Sequence, residues 1–126
     1  MSTLKTDTLS NVAGTKSVPT DTVVDGSAKA WVNFNGTGTV AIRAAFNVSS
    51  ITDNGTGDYT VNFATAMADI NYNAIFGAGS QAAGVGAYVT EQNDSVLRST
   101  TQLKIFTTHN ASTLADKAVV SVSIFR

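Results

Sequence analysis

The only histidine of the chain, His109, lies in a stretch that is rich in hydroxyl groups, where an imidazole could act as a base. Ser112 and Asp116 follow it, so the three residue types of a nucleophilic triad occur close together. Such catalysis also needs an oriented base and an oxyanion site, and no nucleophile-elbow motif occurs near these residues. We therefore predict that the protein is not an enzyme and that His109 is an exposed loop residue, a candidate for partner contact.

A second group that could do chemistry is the segment DNGTGD at residues 53–58. Oxygen ligands spaced around glycines suit Ca²⁺, but a full calcium loop has twelve residues and ends in a glutamate, which is missing here. Asn-Gly and Gly-Asp are also common turn dipeptides. We predict a plain hairpin turn, with no metal and no cofactor.

The remaining polar residues give no catalytic pattern. Most of the nine acidic residues stand beside turn residues, and this does not predict the pair across a cleft that glycoside hydrolysis needs. Residues 77–84 are rich in Gly and Ala and predict an exposed loop rather than a phosphate loop. Because binding residues concentrate on loops, Gln81, Glu91 and Asn93 are candidate partner contacts.

The composition excludes several classes of function. Only 13% of the 126 residues are charged, against roughly 25% in ordinary domains, and the formal net charge is −1. No basic patch supports nucleic-acid binding, and no apolar run approaches the roughly 20 residues of a membrane span. There is no Cys, and the N-terminus lacks a signal-peptide core, so we expect synthesis and assembly in a cytoplasm. With so little charge, packing against other subunits is the expected state.

Period-two alternation of apolar and polar residues indicates an all-β fold. It is clearest over residues 39–48, and Asn35-Gly36 and Asn54-Gly55 are hairpin signals that predict a positive φ at Gly55 or Gly36. We predict a compact antiparallel β-sandwich of about seven strands at residues 29–126, with an extended N-terminal arm at residues 1–28. The predicted strands cover residues 29–35, 38–49, 58–64, 73–79, 85–90, 101–108 and 117–125.

The alternation also predicts which side chains are buried. Seven residues at alternate positions of three predicted strands should line the core: Val40, Ile42, Phe46, Val61, Phe63, Val122 and Ile124. Trp31 is out of phase with Val32 and Phe34, so it should point outward, into a subunit interface or towards a glycan. The arm at residues 1–28 has too little apolar surface to fold alone and should dock onto something else.

Two segments, AWVNFNGTGTVAIR and FNVSSITDNGTGDYTVNF, resemble a β-rich domain of bacteriophage tail-fibre and related virion proteins of marine and cyanobacterial phages. The resemblance covers residues 28–71 and returns in the closing VVSVSIFR, and the opening LKTDT is similar to the start of many phage fibres. Such fibres include some that bind a metal through His-x-His on a threefold axis, and the presence of Thr107 here means that this motif is missing.

The resemblance implies a virion protein that forms a homotrimer and acts as a short tail fibre or knob. It implies partners as well: other copies, other virion proteins reached by the N-terminal arm, and a glycan or protein on the host surface. A capsid decoration protein that stabilises the shell is the alternative, because the chain is short for a fibre. A metal held by three copies of His109 on a trimer axis stays open at this point.

Overall fold

The computed structural model describes residues 1–79, 86–91, 98–110 and 112–126. Within these ranges the chain forms eleven strands and one short helix, all in short segments separated by turns. In chain order they are β1 Thr8–Ser10, β2 Ser17–Pro19, α1 Thr20–Gly26, β3 Ala28–Asn35, β4 Ala41–Phe46, β5 Val48–Gly55, β6 Asp58–Phe63, β7 Asn73–Gly79, β8 Tyr88–Glu91, β9 Gln102–His109, β10 Thr113–Leu114 and β11 Val119–Phe125.

Two antiparallel sheets form the body of the protein. The first sheet has the order β4-β3-β11-β7, and the second has the order β10-β9-β6-β5, with β8 also paired to β9. This confirms the all-β, antiparallel, sandwich-like fold. The strands are more numerous than predicted, partly because the segment predicted as one strand at residues 38–49 belongs to both sheets.

Asn47 is the residue that divides this segment. Its φ is 52°, a left-handed conformation that interrupts a strand and that Asn tolerates better than most residues. Its side chain holds the corner in place: Nδ2 donates to the carbonyls of Lys29 at 3.0 Å and Thr65 at 3.1 Å, and Oδ1 accepts from the Thr65 amide at 2.7 Å. The chain thus passes from β4 in the first sheet to β5 in the second.

Side chains from the inner faces of both sheets form the core. Phe34 of β3 meets Tyr59 of β6 edge-on, with ring centroids 5.3 Å apart, and Phe63 meets Tyr72 at 5.9 Å. Edge-to-face packing is a favoured geometry for aromatic pairs, so these two contacts tie strands and sheets together. The buried apolar residues of this core are Ala30, Val32, Phe34, Tyr59, Val61, Phe63, Met67, Tyr72, Leu103, Ile105, Val120, Val122 and Ile124.

The core prediction is confirmed for four residues and wrong for two. Val61, Phe63, Val122 and Ile124 are buried, and Val40 packs against the core while partly exposed. Phe46 and Ile42 are exposed, which corrects their assignment.

The reason for this error is an irregularity in the pairing of β3 with β4. Asn33 faces Ala44, but the next residue, Phe34, faces Ile42, so Arg43 is an extra residue in β4. One extra residue shifts the alternation by one and moves later side chains to the opposite face. Beyond it Ala45 packs against the core, and Phe46 points outward. Ile42, before it, lies on an edge strand that leaves it partly open to solvent.

The β5–β6 hairpin turns at Thr56-Gly57, two residues later than the Asn-Gly signal. Gly55 has a φ of 130° and Gly57 one of 66°, so the predicted positive φ is confirmed at Gly55. Gly36 is not in that region; it is required because an added Cβ would lie 2.6 Å from Tyr59 Oη. Gly57 requires glycine for both reasons: its φ is positive, and an added Cβ would lie 2.4 Å from the Thr107 carbonyl oxygen.

The N-terminal arm has local structure of its own. Strands β1 and β2 form a small hairpin, and α1 follows directly after Pro19, whose fixed φ suits the position before a helix. None of the α1 residues is buried, and Leu4, Leu9 and Val12 of the hairpin segment are exposed as well. The arm therefore contributes nothing to the core of the sandwich.

Phe63 is buried and Phe46 is exposed, so truncating each to Ala tests where the two side chains lie. Phe63→Ala should lower the free energy of unfolding by about 3–5 kcal/mol, because it empties a buried site, whereas Phe46→Ala should cost less than about 1 kcal/mol. Urea unfolding of the two variants measures the difference. Equal losses would contradict the outward position of Phe46.

A second test uses two glycines with the same backbone conformation. Gly38 has a φ of 64° and open space at its Cβ position, whereas Gly57 has backbone atoms there. Gly38→Ala should cost about 1–2 kcal/mol, the strain of the left-handed region alone. Gly57→Ala should cost about 3 kcal/mol or more, because a backbone clash adds to that strain. Thermal or urea unfolding that ranks them in the reverse order would refute this account of the turn.

Candidate interaction surface

A row of exposed apolar side chains crosses the outer face of the first sheet, the side turned away from the second sheet. The strand register places Phe46 of β4 opposite Trp31 of β3, and Ser123 of β11 opposite both Trp31 and Ile75 of β7. Phe46 and Ile75 are each 54% exposed and Trp31 is 38% exposed. We call Phe46, Trp31 and Ile75 the apolar row; the small side chain of Ser123 lies between Trp31 and Ile75. The outward position predicted for Trp31 is confirmed.

The rest of this outer face carries mostly small side chains, together with the exposed Val119 of β11, and few charges. The next row holds Ala44, Asn33, Ser121 and Gly77, side chains that leave a flat surface. Among the residues of the four strands the charged ones are Lys29 and Arg43. Arg43 lies flat, because Nη2 donates to the Ala118 carbonyl at 2.5 Å and Nη1 is 3.4 Å from Asn33 Oδ1.

The second sheet has a different outer face. There Asn62 Nδ2 donates to Ser50 Oγ at 3.0 Å and Thr52 Oγ1 at 2.9 Å, and Lys104 pairs with Asp58 at 3.0 Å. Its polar groups thus bond to one another across the strands. The apolar row marks the first sheet as the side that is suited to contact another molecule.

His109 lies at the end of β9 and is half-buried, which corrects the prediction of an exposed loop residue. Its Nδ1 is 3.1 Å from Nζ of Lys117, whose side chain is buried and also lies 3.4 Å from the Gly86 carbonyl oxygen. The two nitrogen atoms share a hydrogen bond. His109 therefore positions a buried lysine.

Asp116 is occupied by a different set of contacts. Its Oδ1 accepts from the Gly57 amide at 2.7 Å and from the Tyr59 hydroxyl group at 2.7 Å. Tyr59 Oη also lies 2.8 Å from the Gly36 carbonyl oxygen. Burial, together with the neighbouring Asp116 carboxylate, raises the pKa of Tyr59 far above its ordinary value. Asp116 thus fastens two turns to the core, and the structure does not bring it to His109 as a triad would require.

Glu91 forms an ion pair with Arg98 that bridges the end of β8 and the approach to β9. Arg98 Nε donates to Glu91 Oε1 at 2.6 Å, and Nη2 donates to Oε2. The guanidinium group also donates to the Tyr72 carbonyl at 2.5 Å and lies 4.6 Å from the centre of the Tyr72 ring. The bidentate pair raises the pKa of Arg98. Glu91 therefore has a structural role here; its predicted contact with a partner stays a prediction.

Two predicted partner contacts and the segment that resembles a calcium loop remain to be placed. Gln81 and Asn93 lie outside the described residues. The segment at residues 53–58 is a hairpin turn in which Asp53 accepts from the Gly55 amide at 3.0 Å, and Asp58 is paired with Lys104. No group of three or more metal-binding side chains occurs in the part of the chain that the structure describes.

Phe46 and Ile75 are the surface residues that the sequence pattern missed. Ile75 falls in a predicted strand, Asn73–Gly79, whose bounds are confirmed, but Ala74, Ile75 and Phe76 are all apolar and give no alternation. Phe46 was assigned to the core by an alternation that the extra residue in β4 interrupts. A signal was present in Arg43, a charged residue in an otherwise apolar strand.

Comparisons of the chain with protein-family models, curated proteins and solved structures found no match. Within the ranges that the structure describes, no helix is long and apolar enough to cross a membrane.

Tyr72, whose ring lies against Arg98, makes the stability of the protein depend on pH. Burial raises the pKa of Tyr72 from its ordinary value of 10.0 to about 12, although Arg98 opposes the shift. The unfolded chain therefore loses this proton first as the pH rises. The contribution of Tyr72 is complete below pH 10 and is lost as the pH approaches 12. Tyr72→Phe should flatten the fall in melting temperature over this interval.

Melting temperatures measured at several pH values for the wild type and Tyr72→Phe test this expectation. Tyr88→Phe, which alters an exposed ring in β8, is the matched control and should keep the wild-type dependence. Parallel curves for the wild type and Tyr72→Phe would contradict the assignment.

Proposed function

We propose that this protein is a non-enzymatic structural protein of a bacteriophage virion, a homotrimeric short tail fibre or knob that contributes to host-surface recognition. The observation that carries the proposal is the apolar row, with Phe46 and Ile75 more than half exposed on either side of Trp31. Contiguous apolar patches on soluble proteins commonly mark interaction sites, and tryptophan is enriched in interfaces. An assembly that covers this face accounts for its composition.

The arm supports the same reading. Its Leu4, Leu9 and Val12 are exposed, and no residue of helix α1 is buried. An isolated two-stranded hairpin is marginally stable in water at best. A neighbouring subunit or another virion protein would supply the missing surface and hold the arm in one conformation.

The polar contacts support a structural role over a catalytic one. His109 contacts Lys117, Asp116 binds Tyr59 and the Gly57 amide, and Glu91 pairs with Arg98. Each of these groups already serves a neighbour in the fold. The virion and the trimer come from the resemblance of residues 28–71 to phage fibre domains.

The size of the outer face also favours an assembly that includes the arm. Four strands about 4.8 Å apart and about six residues long at 3.3 Å each cover roughly 400 Å². A standard interface buries about 800 Å² on each partner. The outer face alone is smaller than this, and the arm can provide the remainder.

The stoichiometry is tested by light scattering of the purified full-length protein. The exposed outer face and arm favour association, and the resemblance to phage fibre domains implies three copies, so we expect three times the monomer mass at micromolar concentration. A single species of monomer mass at that concentration would overturn the homotrimer.

The place in the virion is tested separately, with an antibody on intact particles and with a phage that lacks the gene. Label at the tail and reduced adsorption to host cells are the expected results. Label across the head, normal adsorption and fragile heads would instead indicate the capsid decoration protein and overturn the fibre.

A further inference from the structure

Helix α1 of the arm combines exposed valines with acidic side chains. Val23 is 42% exposed and Val24 is 60% exposed, and the charged residues of the helix are Asp21 and Asp25. Asp21 and Asp25 are one turn apart and share a side of the helix. The helix thus offers a small apolar area next to negative charge, and its own sandwich buries none of it.

The outer face of the first sheet has the complementary character. Beside its apolar row, the charged residues of its four strands are Lys29 and Arg43, both basic. Arg126, which follows β11 at the rim, is also basic and pairs with Asp69 at 2.6 Å. An acidic helix with valines therefore matches this face in both charge and apolarity.

Helix α1 does not cover the outer face of its own sheet. Ser27 alone separates Gly26 from Ala28, and its φ of −82° and ψ of 143° are extended. The link is thus too short for a turn of its own, and its extended residue sets the direction in which α1 leaves β3. Lys29 Nζ donates to the Val24 carbonyl and to Ser27 Oγ, which holds this exit direction. The apolar row accordingly stays exposed in its own chain.

We propose that α1 of one copy docks on the outer face of a neighbouring copy. Val23 and Val24 pack on the apolar row, and Asp21 and Asp25 face Arg43 and Lys29 of that neighbour. The inference rests on the proposed function in one respect, the assembly of several copies, and it identifies which segment of one copy contacts which face of the next.

Trp31 reports on this contact directly, because it is the only tryptophan of the chain and stands in the apolar row. With the full-length protein, its emission should shift to shorter wavelength and resist acrylamide quenching as the concentration rises. The double variant Val23→Ser/Val24→Ser should move this transition to about tenfold higher concentration. Leu114→Ser, which removes an exposed apolar side chain from β10 of the second sheet, is the matched control and should leave it unchanged.

Charge reversal then distinguishes contact between copies from contact within one. Asp21→Lys/Asp25→Lys and Lys29→Glu/Arg43→Glu should each associate at least about tenfold more weakly than the wild type. An equimolar mixture of the two variants should regain association and protection of Trp31, because the lysines of one arm then meet the glutamates of the other face. Circular dichroism and melting curves check that both variants are folded.

Three outcomes would overturn the proposal: no concentration dependence of Trp31 quenching, protection of Trp31 that persists in the valine variant, or a mixture that behaves as the sum of its parts. Persistent protection would indicate that outer faces pair with each other. These readouts are independent of the virion assignment, which antibody labelling and adsorption decide. If a phage without the gene adsorbs poorly and the mixed charge variants associate, for example, both proposals are supported.

Discussion

The buried side chain of Tyr59 is the contact on which the rest of the sandwich depends. Its ring packs edge-on against Phe34 of the opposite sheet, and its hydroxyl group reaches both the Gly36 carbonyl and the Asp116 carboxylate. Asp116 in turn accepts from the Gly57 amide. One residue therefore joins the two sheets and holds two turns in place, and the lack of space around it requires glycine at Gly36.

Because the chain has few charged residues, uncharged side chains make up most of the outer faces of both sheets. On the second sheet, amide and hydroxyl side chains bond to one another across the strands, as Asn62 does with Ser50 and Thr52. On the first sheet, small residues and the apolar row leave little for water to bind. A surface with few charges gives little repulsion between copies, so charge does little to oppose their approach.

The sequence pattern predicted the strands well where the pairing is regular. Strand Asn73–Gly79 was predicted with its observed bounds, and Asp58–Phe63 and Val119–Phe125 lie within predicted segments and bury the residues expected of them. It failed between residues 38 and 49, where the extra residue Arg43 and the left-handed Asn47 change which side faces the core. Both irregularities depend on partners distant in sequence, and local periodicity contains no information about those partners.

The sequence by itself determined the fold class, the outward direction of Trp31 and the need for glycine at the β5–β6 hairpin, because each follows from alternation or from local backbone sterics. Only the tertiary structure decided that Phe46 and Ile75 join Trp31 in one row, that His109 contacts Lys117, and that Glu91 pairs with Arg98. Those outcomes arise from sheet order and register, in which each strand meets neighbours brought together by long-range pairing. Contacts of that kind are set by the packing of the whole chain and not by the residues on either side.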